Sequence, residues 1–479
     1  MNRLLSDTES LPMAVRFGLL IVVLLACVAS PLVAAERPNI IYIMTDDLGY
    51  GDLGCYGQKV IQTPNIDRMA KEGMRFTDHY AGHTVCRPSR LVLWLGQHVG
   101  HTGLTGNRPR SLTATESTVG KLLKQSGYKT GGVGKWALGN VEEPAEIDND
   151  GHPNRNGFDY WFGYMNQGNA HNFYPPYLWE NSKQVFLKGN VLSNAPGSRG
   201  RVSSKRVTYS HDEMTKAAFG FIRKNKDSPF LLHIHWTIPH ANNEGGRVLG
   251  DGMEIPDYGI YKDKDWPNPE KGFAAMITHM DKDVGRLFGL LNELKIDEKK
   301  LVIFTSDNGP HQEGGHKHEF FDSNGPLTGF KRSMHEGGIR VPMIARWPGK
   351  IAADSTSDHP SGFYDFLPTA CELAGVKRPK GIDGISYLPT LIGKPQTEHE
   401  YLYYASLEGA TSVGVRFGDW KLVKYRPRKR KGQKATPTKP DWRLYDLSKD
   451  ISESTDVAKK HPGIVEEIFS LLRRDLLLE

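Results

Sequence analysis

The stretch from Cys86 to Gly96 places a thiol, two polar side chains and an apolar run within a few residues of one another. Pro88 is tolerated in the first turn of a helix, and the apolar residues after Arg90 predict that this helix is buried. Cys86 would then lie at the helix N-terminus, where free backbone N–H groups and the helix dipole attract an anion. A thiol that only caps a buried helix would gain little there, whereas a nucleophile attacking an anionic substrate would gain much.

Two pairs of oxygen-bearing residues follow apolar runs that we predict to be strands. Asp46 and Asp47 come after the run 39–44, and Asp307 and Asn308 come after the run 301–305. Either pair alone is compatible with a turn or a helix cap, because such residues favour both. Together they offer carboxylate and amide oxygens suited to Ca²⁺ or Mg²⁺, and no Cys or His pair of zinc spacing accompanies them.

The thiol-containing stretch resembles the signature of the type I sulfatases, C-x-P-S-R with a later Gly, matched here at Cys86, Pro88, Ser89, Arg90 and Gly96. In that family a formylglycine-generating enzyme oxidises the Cys to formylglycine, and the hydrate of this aldehyde is the nucleophile. A Thr before the Gly and an Arg after it are usual in the family, and Leu95 and Gln97 stand there instead. The resemblance implies that Cys86 is modified and that the maturation enzyme is a partner.

The resemblance also assigns a ligand set and a catalytic set. One divalent cation is assigned to Asp46, Asp47, Asp307 and Asn308, with residue 86 as a further ligand. We expect Ca²⁺, with Mg²⁺ as the alternative. The catalytic residues implied are Cys86, Arg90, Lys135, His240 and Lys331.

Each catalytic residue has an implied role. Lys135, in Gly134-Lys-Trp, and Lys331, shortly before Glu336-Gly-Gly-Ile-Arg-Val-Pro, would bind sulfate oxygens. His240 follows the apolar run 230–236 and would protonate the leaving oxygen. Arg90 would orient the formylglycine hydrate. The sulfur–oxygen bond would thus be cleaved between a nucleophile on one side and an acid on the other.

One family residue is missing. Sulfatases usually carry a His two residues after the first sulfate-binding Lys, where it hydrogen-bonds the formylglycine hydroxyl and helps to expel sulfate; here that position is Ala137. His83, His171 and His311 are candidate substitutes, and Asp307 could also accept the proton. We place His171 with Lys135, Lys331 and His240 on the substrate-binding side.

The alternation of apolar runs with helical patterns predicts an α/β fold. The runs 39–44, 230–236 and 301–305 read as buried parallel strands. Apolar residues between 273 and 291 recur at helical spacing, and Thr113-Ala-Thr-Glu116 resembles a capping box that opens a helix ending at Gly127. We therefore expect a doubly wound, mostly parallel central sheet flanked by helices. The family resemblance implies that this fold is alkaline-phosphatase-like.

The remainder of the chain predicts two further parts. Short strand-like pieces after residue 380, and a helix from about Pro462, predict a smaller C-terminal α+β subdomain with an antiparallel sheet. At the other end, an apolar core from Phe17 to Ala29 followed by Val33-Ala-Ala35 predicts a signal peptide. The expected organisation is a signal peptide at 1–35, a catalytic domain at 36–380 and a subdomain at 381–479.

Composition and the predicted cellular location limit the classes of protein to which this chain can belong. The 479 residues are 38% hydrophobic and 24% charged with a net charge of +6, which is typical of a globular protein rather than a membrane or disordered one. We expect a periplasmic or secreted protein with no transmembrane segment after signal removal. The alternative is a lipid anchor on Cys27, because Leu24-Leu-Ala-Cys27 resembles a lipobox. A nucleic-acid partner is not expected, because no binding motif is present.

Two segments bear on the substrate, and three functions remain open. The aromatics between 160 and 179 suit either sugar stacking or loop packing, and the basic run 426–434 suits either a solvated hairpin tip or a grip on a polyanionic glycan. We predict hydrolysis of sulfate monoesters, on a sulfated glycan or an aryl sulfate. The alternatives are a phosphodiesterase or phosphonate-ester hydrolase of the alkaline phosphatase superfamily, and a degenerate member that only binds sulfated glycans.

Overall fold

A large mixed sheet forms the centre of the molecule. The computed structural model describes residues 37–139, 146–426 and 441–477. The strands in chain order are β1 Asn39–Asp46, β2 Met74–Phe76, β3 His79–Tyr80, β4 Lys129–Lys135, β5 Tyr160–Tyr164, β6 Tyr177–Glu180, β7 Lys183–Phe186, β8 Val191–Leu192, β9 Ser203–Lys205, β10 Phe230–Pro239, β11 Lys300–Ser306, β12 Met343–Arg346, β13 Ser355–Ser357, β14 Ser361–Gly362, β15 Leu402–Ala405, β16 Thr411–Phe417, β17 Trp420–Tyr425 and β18 Asp441–Asp446.

Ten of these strands pair in the order β13-β2-β12-β11-β1-β10-β4-β5-β6-β7. The five central strands, from β11 to β5, are all mutually parallel, whereas β12 and β6 pair antiparallel on either side. The carboxyl ends of the parallel strands therefore meet at one edge, which is where open α/β sheets bind ligands. The three predicted strands are confirmed as β1, β10 and β11.

Helices cover both faces of this sheet. They are α1 Pro64–Lys71, α2 Cys86–Leu95, α3 Val99–Thr102, α4 Val119–Gln125, α5 Ser210–Asn225, α6 Asn243–Leu249, α7 Asn268–Glu293, α8 Glu336–Ile339, α9 Phe366–Ala374, α10 Leu388–Leu391 and α11 Pro462–Arg474. Strand β1 is buried throughout because it has a core on each side. Its side chains alternate between the two cores: Tyr42 packs with α2 and α9, and Ile43 packs with α5 and α7.

A second, smaller sheet lies near the C-terminus. Strands β15 to β18 form it in sequence order, and each neighbouring pair is antiparallel. Its core side packs against α11 through Ile468 and Leu472. The predicted fold class is thus confirmed in both its parts. The boundaries proposed at residues 35 and 380 stay predictions.

The helix predicted from Thr113 begins later than expected. Glu116 does accept a hydrogen bond from the backbone N–H of Thr113, at 2.7 Å, but this contact closes only a turn. The Glu116 carboxylate also pairs with Arg110, which holds it outside the helix. The helix begins at Val119, where the Thr118 side chain accepts a hydrogen bond from Lys121 N and provides the cap.

Several predictions fall partly or wholly outside the described residues. They are the signal peptide at 1–35, the lipobox Cys27 and all of the basic run 426–434 except Arg426. Across the ranges that the structure describes, no helix has the length and apolarity needed to cross a bilayer. Of the aromatic segment, Trp161 and Phe162 are buried within β5, so these two rings serve packing.

Candidate active site

The predicted metal ligands lie together at the carboxyl edge of the parallel strands. Asp46 is the last residue of β1 and Asp47 follows it, whereas Asp307 and Asn308 follow β11. Because β1 and β11 are neighbours with Thr45 opposite Ser306, the two pairs emerge side by side. Asp47 has a φ of 69°, a left-handed conformation that is unusual for a residue other than Gly and is often found at functional sites.

The carboxylates form a compact, buried cluster of oxygen atoms. One oxygen each from Asp46, Asp47 and Asp307 lies within 4.8 Å of the others, and all three side chains are fully buried. Asn308 Nδ2 donates to Asp47 Oδ1 at 2.7 Å. Asn308 Oδ1 and Asp46 Oδ1 are buried without a hydrogen-bond partner among the described residues. A hard divalent cation fits this donor set, because it takes oxygen ligands and would satisfy both orphaned atoms.

Three buried cations face the cluster. Arg90 Nη2 donates to Asp307 Oδ2 at 2.7 Å and to Asp46 Oδ2 at 3.3 Å. Lys135 Nζ donates to Asp46 Oδ2 at 2.6 Å, and Lys331 Nζ donates to Asp47 Oδ2 at 2.7 Å. The two lysines predicted to bind sulfate therefore reach the site, each through a carboxylate predicted to bind the cation.

The pKa values of the carboxyls differ because their surroundings differ. Burial alone would raise the pKa of Asp46, but Lys135, His240 and Arg90 outweigh it and hold that pKa below its ordinary value. Burial, and next the charge of Asp46, raise the pKa of Asp307 to about 7. One carboxyl is thus forced towards its neutral form.

Cys86 lies at the start of α2, beside the cluster. It is the first helical residue rather than the residue before the helix, and it is 1% exposed. Burial raises the pKa of its thiol, so an unmodified Cys86 is held in the unreactive thiol form. Arg90 follows one turn later on the same face of α2, which explains why the motif places both side chains in one site.

The local sequence allows Lys135 to reach this edge. A Cβ on Gly134 would lie 1.8 Å from the backbone oxygen of His235, so only Gly lets β4 pack against β10 at that point. Ala137, two residues beyond Lys135, has a φ of 66° and is buried. The chain therefore turns sharply where the family His is expected.

His240 follows β10 and faces Lys331. Its Nδ1 lies 2.6 Å from the backbone oxygen of Ala241, to which it donates a proton, and its Nε2 lies 3.2 Å from Lys331 Nζ. One ligand atom of His240 lies within 4.8 Å of Cys86 Sγ and of an Asp46 oxygen. Burial, and next the charge of Lys331, lower the pKa of His240 to about 3.

The three candidate substitutes for the missing His are placed differently. His83 uses both ring nitrogens on backbone groups, Ala405 O and Val85 N, and His311 does the same with Pro239 O and Glu313 N. The ring of His171 stacks on that of His240, with centroids 4.9 Å apart. Of the three, His171 alone keeps a ring nitrogen without a hydrogen-bond partner in the part of the chain that the structure describes.

Two polar residues of the site escaped the sequence reasoning. Glu313 accepts from Lys331 Nζ at 3.1 Å and from Arg332 Nη2 at 2.6 Å. Gln167 Nε2 lies 3.1 Å from Cys86 Sγ. Glu313 closely follows the Asp307–Asn308 pair, a signal that could have singled it out. Gln167 lies in a loop with no such neighbour, and its position depends on the fold of β5.

Comparison with known proteins places the chain in a family. The Sulfatase family model matches residues 38–376, and the model for N-sulphoglucosamine sulphohydrolase, C-terminal, matches residues 317–477. Human steryl-sulfatase is 32% identical over 443 residues, spanning 78% of this chain and 72% of that protein. An N-acetylgalactosamine-6-O-sulfatase of Bacteroides thetaiotaomicron is 30% identical over 506 residues, spanning 91% and 93% of the two chains.

Solved structures agree with these relatives. The crystal structure of Ps i-CgsB in complex with k-i-k-neocarrahexaose is similar with a TM-score of 0.74 and 28% identity, covering 92% of each chain. The sulfatase prediction is confirmed over the phosphodiesterase alternative, because the matching family model and both relatives named above are sulfatases. This chain belongs to the sulfatase family and is a sulfuric ester hydrolase.

Proposed function

We propose that this sulfatase hydrolyses sulfate monoesters of carbohydrates, with formylglycine at residue 86 as its nucleophile and one divalent cation as its cofactor. The observation that carries the proposal is the meeting of Cys86, Asp46 and His240, whose ligand atoms lie within 4.8 Å of one another at the carboxyl edge of the sheet. The formylglycine hydrate supplies a hydroxyl nucleophile, which the buried thiol of Cys86 does not.

The residues that would hold the cation are Asp46, Asp47, Asp307 and Asn308, with residue 86 completing the set. Two buried oxygen atoms, on Asp46 and Asn308, have no hydrogen-bond partner within the part of the chain that the structure describes, and both support this assignment. We propose Ca²⁺, with Mg²⁺ as the alternative, since both take carboxylate and amide oxygens. When bound, such an ion supplies Lewis-acid stabilisation of oxygen charge near residue 86.

Lys135 and Lys331 would bind the sulfate group. Both ammonium groups are buried, so their charge acts at low dielectric and stabilises the negative oxygens of the transition state strongly. Arg90 is fixed by Asp307 and by the backbone oxygen of Lys135, at 2.8 Å. This bracing gives Arg90 one orientation, in which it would position the hydroxyls of residue 86.

His240 would donate a proton to the departing alcohol. In this structure its Nδ1 proton goes to Ala241 O, so its Nε2 is the atom that faces the site. The positive charge of Lys331 favours a neutral imidazole at His240. A bound sulfate ester would offset that charge and so favour the protonated imidazole. The proton at Nε2 would then be carried next to the leaving oxygen, where acid catalysis is needed.

The relatives support a carbohydrate as the substrate. The bacterial relative that covers nearly the whole chain is named for a sulfated amino sugar, and a similar structure holds a neocarrahexaose. An aryl sulfate would serve as a convenient reporter substrate. We also propose export to the periplasm or beyond, on the basis of the apolar N-terminal segment, with anchoring through Cys27 as the alternative.

Mass spectrometry of the tryptic peptide that contains residue 86 tests the nucleophile. Protein from its own host should carry formylglycine, whereas a peptide with an unmodified thiol would remove the basis of the mechanism. Sulfate release from sulfated oligosaccharides should exceed hydrolysis of phosphodiesters in a side-by-side assay. Cys86→Ala should abolish release. Cys55→Ala, at a half-buried thiol between β1 and α1, is the matched control.

A further inference from the structure

The loop after β5 carries two side chains that the family assignment leaves unused, one against residue 86 and one against His240. Gln167 Nε2 contacts Cys86 Sγ at 3.1 Å, and Gln167 Oε1 is buried without a hydrogen-bond partner among the described residues. Four positions later, the ring of His171 stacks on His240 with an angle of 21° between the rings. This loop therefore borders the side of residue 86 that faces the substrate-binding histidine.

His171 is held in one orientation by a buried carboxylate. Its Nδ1 lies 2.8 Å from Glu244 Oε2, and the other oxygen of Glu244 lies 3.3 Å from Arg201 Nη1. Burial acts to raise the pKa of Glu244, but the hydrogen bond from His171 and the charge of Arg201 bring it to about 2. Glu244 is therefore a carboxylate at neutral pH and accepts the Nδ1 proton of His171. Burial lowers the pKa of His171, so its imidazole is neutral and Nε2 carries a lone pair.

The other histidines around the site are already engaged. His83 and His311 use both ring nitrogens on backbone atoms, and His240 Nε2 faces Lys331. His235 is fully buried within β10 against Arg90. His171, by contrast, has a side chain that is 15% exposed, and among the described residues its Nε2 has no hydrogen-bond partner. Its pairing with a carboxylate resembles the carboxylate–histidine pairs of general bases.

We propose that His171, oriented by Glu244, is the base that takes up the hydroxyl proton of residue 86 when sulfate is expelled. The step, which rests on the proposed function, regenerates the aldehyde. The O–H bond of the free hydroxyl breaks and its proton goes to His171 Nε2, directly or through one water. The electrons of that bond form the C=O bond, and the carbon–oxygen bond to sulfate breaks with its pair on sulfate. Gln167 positions the hydroxyl through its amide.

Loss of this base should slow the release of sulfate from residue 86 without slowing the transfer of the sulfuryl group to it. His171→Gln keeps a hydrogen-bonding amide near Glu244 but cannot accept the proton. It should release about one equivalent of nitrophenol from nitrophenyl sulfate in a burst, because sulfuryl transfer to residue 86 does not need the base. Its steady-state rate should then fall by roughly 10²–10⁴-fold. The peptide containing residue 86, quenched after the burst, should gain the mass of one SO₃ group.

Two further variants separate this role from a structural one. Glu244→Gln should accumulate the same adduct to a lower level, because the imidazole remains but is less basic and less well oriented. His101→Gln is the matched control, since His101 also pairs with a carboxylate, Asp383, at 2.8 Å on the surface. It should behave like the wild type. Added imidazole should speed discharge of the adduct in a His171→Ala enzyme.

The outcomes distinguish this inference from the proposed function. An unmodified thiol at residue 86, with no turnover by the wild type, would defeat the function itself. A modified and active wild type, with His171→Gln turning over at the same rate and without an adduct, would overturn the role of His171 alone. Equal loss of burst and steady state in folded His171→Gln would also overturn it, because the residue would then act before sulfate release.

Discussion

The ion pair between Glu336 and Lys421 should control how firmly the C-terminal sheet is attached. Glu336 begins α8 and Lys421 lies in β17, and both side chains are fully buried. Glu336 Oε1 accepts from Lys421 Nζ at 2.7 Å, and Glu336 Oε2 accepts from Tyr80 and Arg340. Within the described ranges, Glu336 is the one hydrogen-bond partner of the Lys421 ammonium, which also lies over the rings of Tyr80 and Tyr404. Removing its charge would leave a buried ammonium uncompensated.

The size of the effect follows from that burial. Breaking a buried ion pair by neutralising one partner costs about 3–5 kcal/mol, so Glu336→Gln should destabilise by about that amount. A unit the size of Pro38–Glu479 has an unfolding entropy of about 0.9 kcal/mol/K, so the expected fall in Tm is about 3–5 °C. The double variant Glu336→Gln/Lys421→Met should cost less than the sum of the single variants, because it leaves no unpaired ammonium.

The pH dependence has a defined sign. Burial favours the neutral acid, but Lys421, Arg340 and Arg416 bring the pKa of Glu336 from 4.5 down to about 2. Because the folded pKa is the lower one, the stabilisation is complete above about pH 4.5 and is lost as the pH falls towards 2. The difference in stability between wild type and Glu336→Gln should shrink over that interval.

Thermal and urea unfolding monitored by circular dichroism would measure these effects. Nitrophenyl sulfate turnover at 25 °C should change little, because Lys331 is held by Asp47 and Glu313 rather than by Glu336. An unchanged Tm in Glu336→Gln, or strictly additive costs in the double variant, would refute the reasoning. Either result would mean that water or another group compensates Lys421.

The remaining predictions concern the site. Lys135→Ala should lower kcat/KM for nitrophenyl sulfate by roughly 10²–10³-fold, as for one lost oxyanion donor, while Lys129→Ala at the exposed start of the same strand should not. His240→Ala should lower hydrolysis of sugar sulfates by roughly 10²–10⁴-fold and of nitrophenyl sulfate much less, so equal losses would exclude it as the acid. Chelation should lower the Tm, and Ca²⁺ at about 100 times its Kd should restore about 2.7 kcal/mol, a response that Asp307→Asn should abolish. A chelated enzyme with an unchanged Tm would count against the cation site.

The parts of the fold that the sequence predicted are those controlled by local pattern. The run 39–44 is apolar throughout because β1 is covered on both faces, and this composition is visible without any knowledge of its neighbours. The capping pattern at Thr113 predicted the wrong helix start, because the outcome there depends on a residue outside the pattern. Its hydrogen bond forms, yet Arg110 draws the Glu116 side chain away, and that competition depends on the three-dimensional path of the loop.

The site residues also fall into two groups, those that local sequence could place and those whose positions depend on the rest of the fold. Asp46 and Asp307 could be placed together from sequence, because each follows a parallel strand and such strands share one ligand-binding edge. Gln167 and Glu244 could not, because they reach residue 86 and His171 from a loop and from the first turn of α6, whose positions are set by packing far along the chain. Their side chains also belong to residue types that are common on surfaces, so neither type nor spacing distinguished them.

The proposed roles of the cation and of the lysines depend on each other. In this structure Lys135 is bonded to Asp46 and Lys331 to Asp47, so the lysines assigned to sulfate are engaged by the carboxylates assigned to the metal. The ammonium of Lys135 or Lys331 can leave its carboxylate and bind sulfate only when that carboxylate has another positive partner. An unpaired buried carboxylate would otherwise cost free energy. A cation on the carboxylates would supply that partner. Sulfate binding by Lys135 and Lys331 should therefore require the cation on Asp46 and Asp47. The assignment of the lysines to sulfate thus depends on the assignment of the carboxylates to the cation.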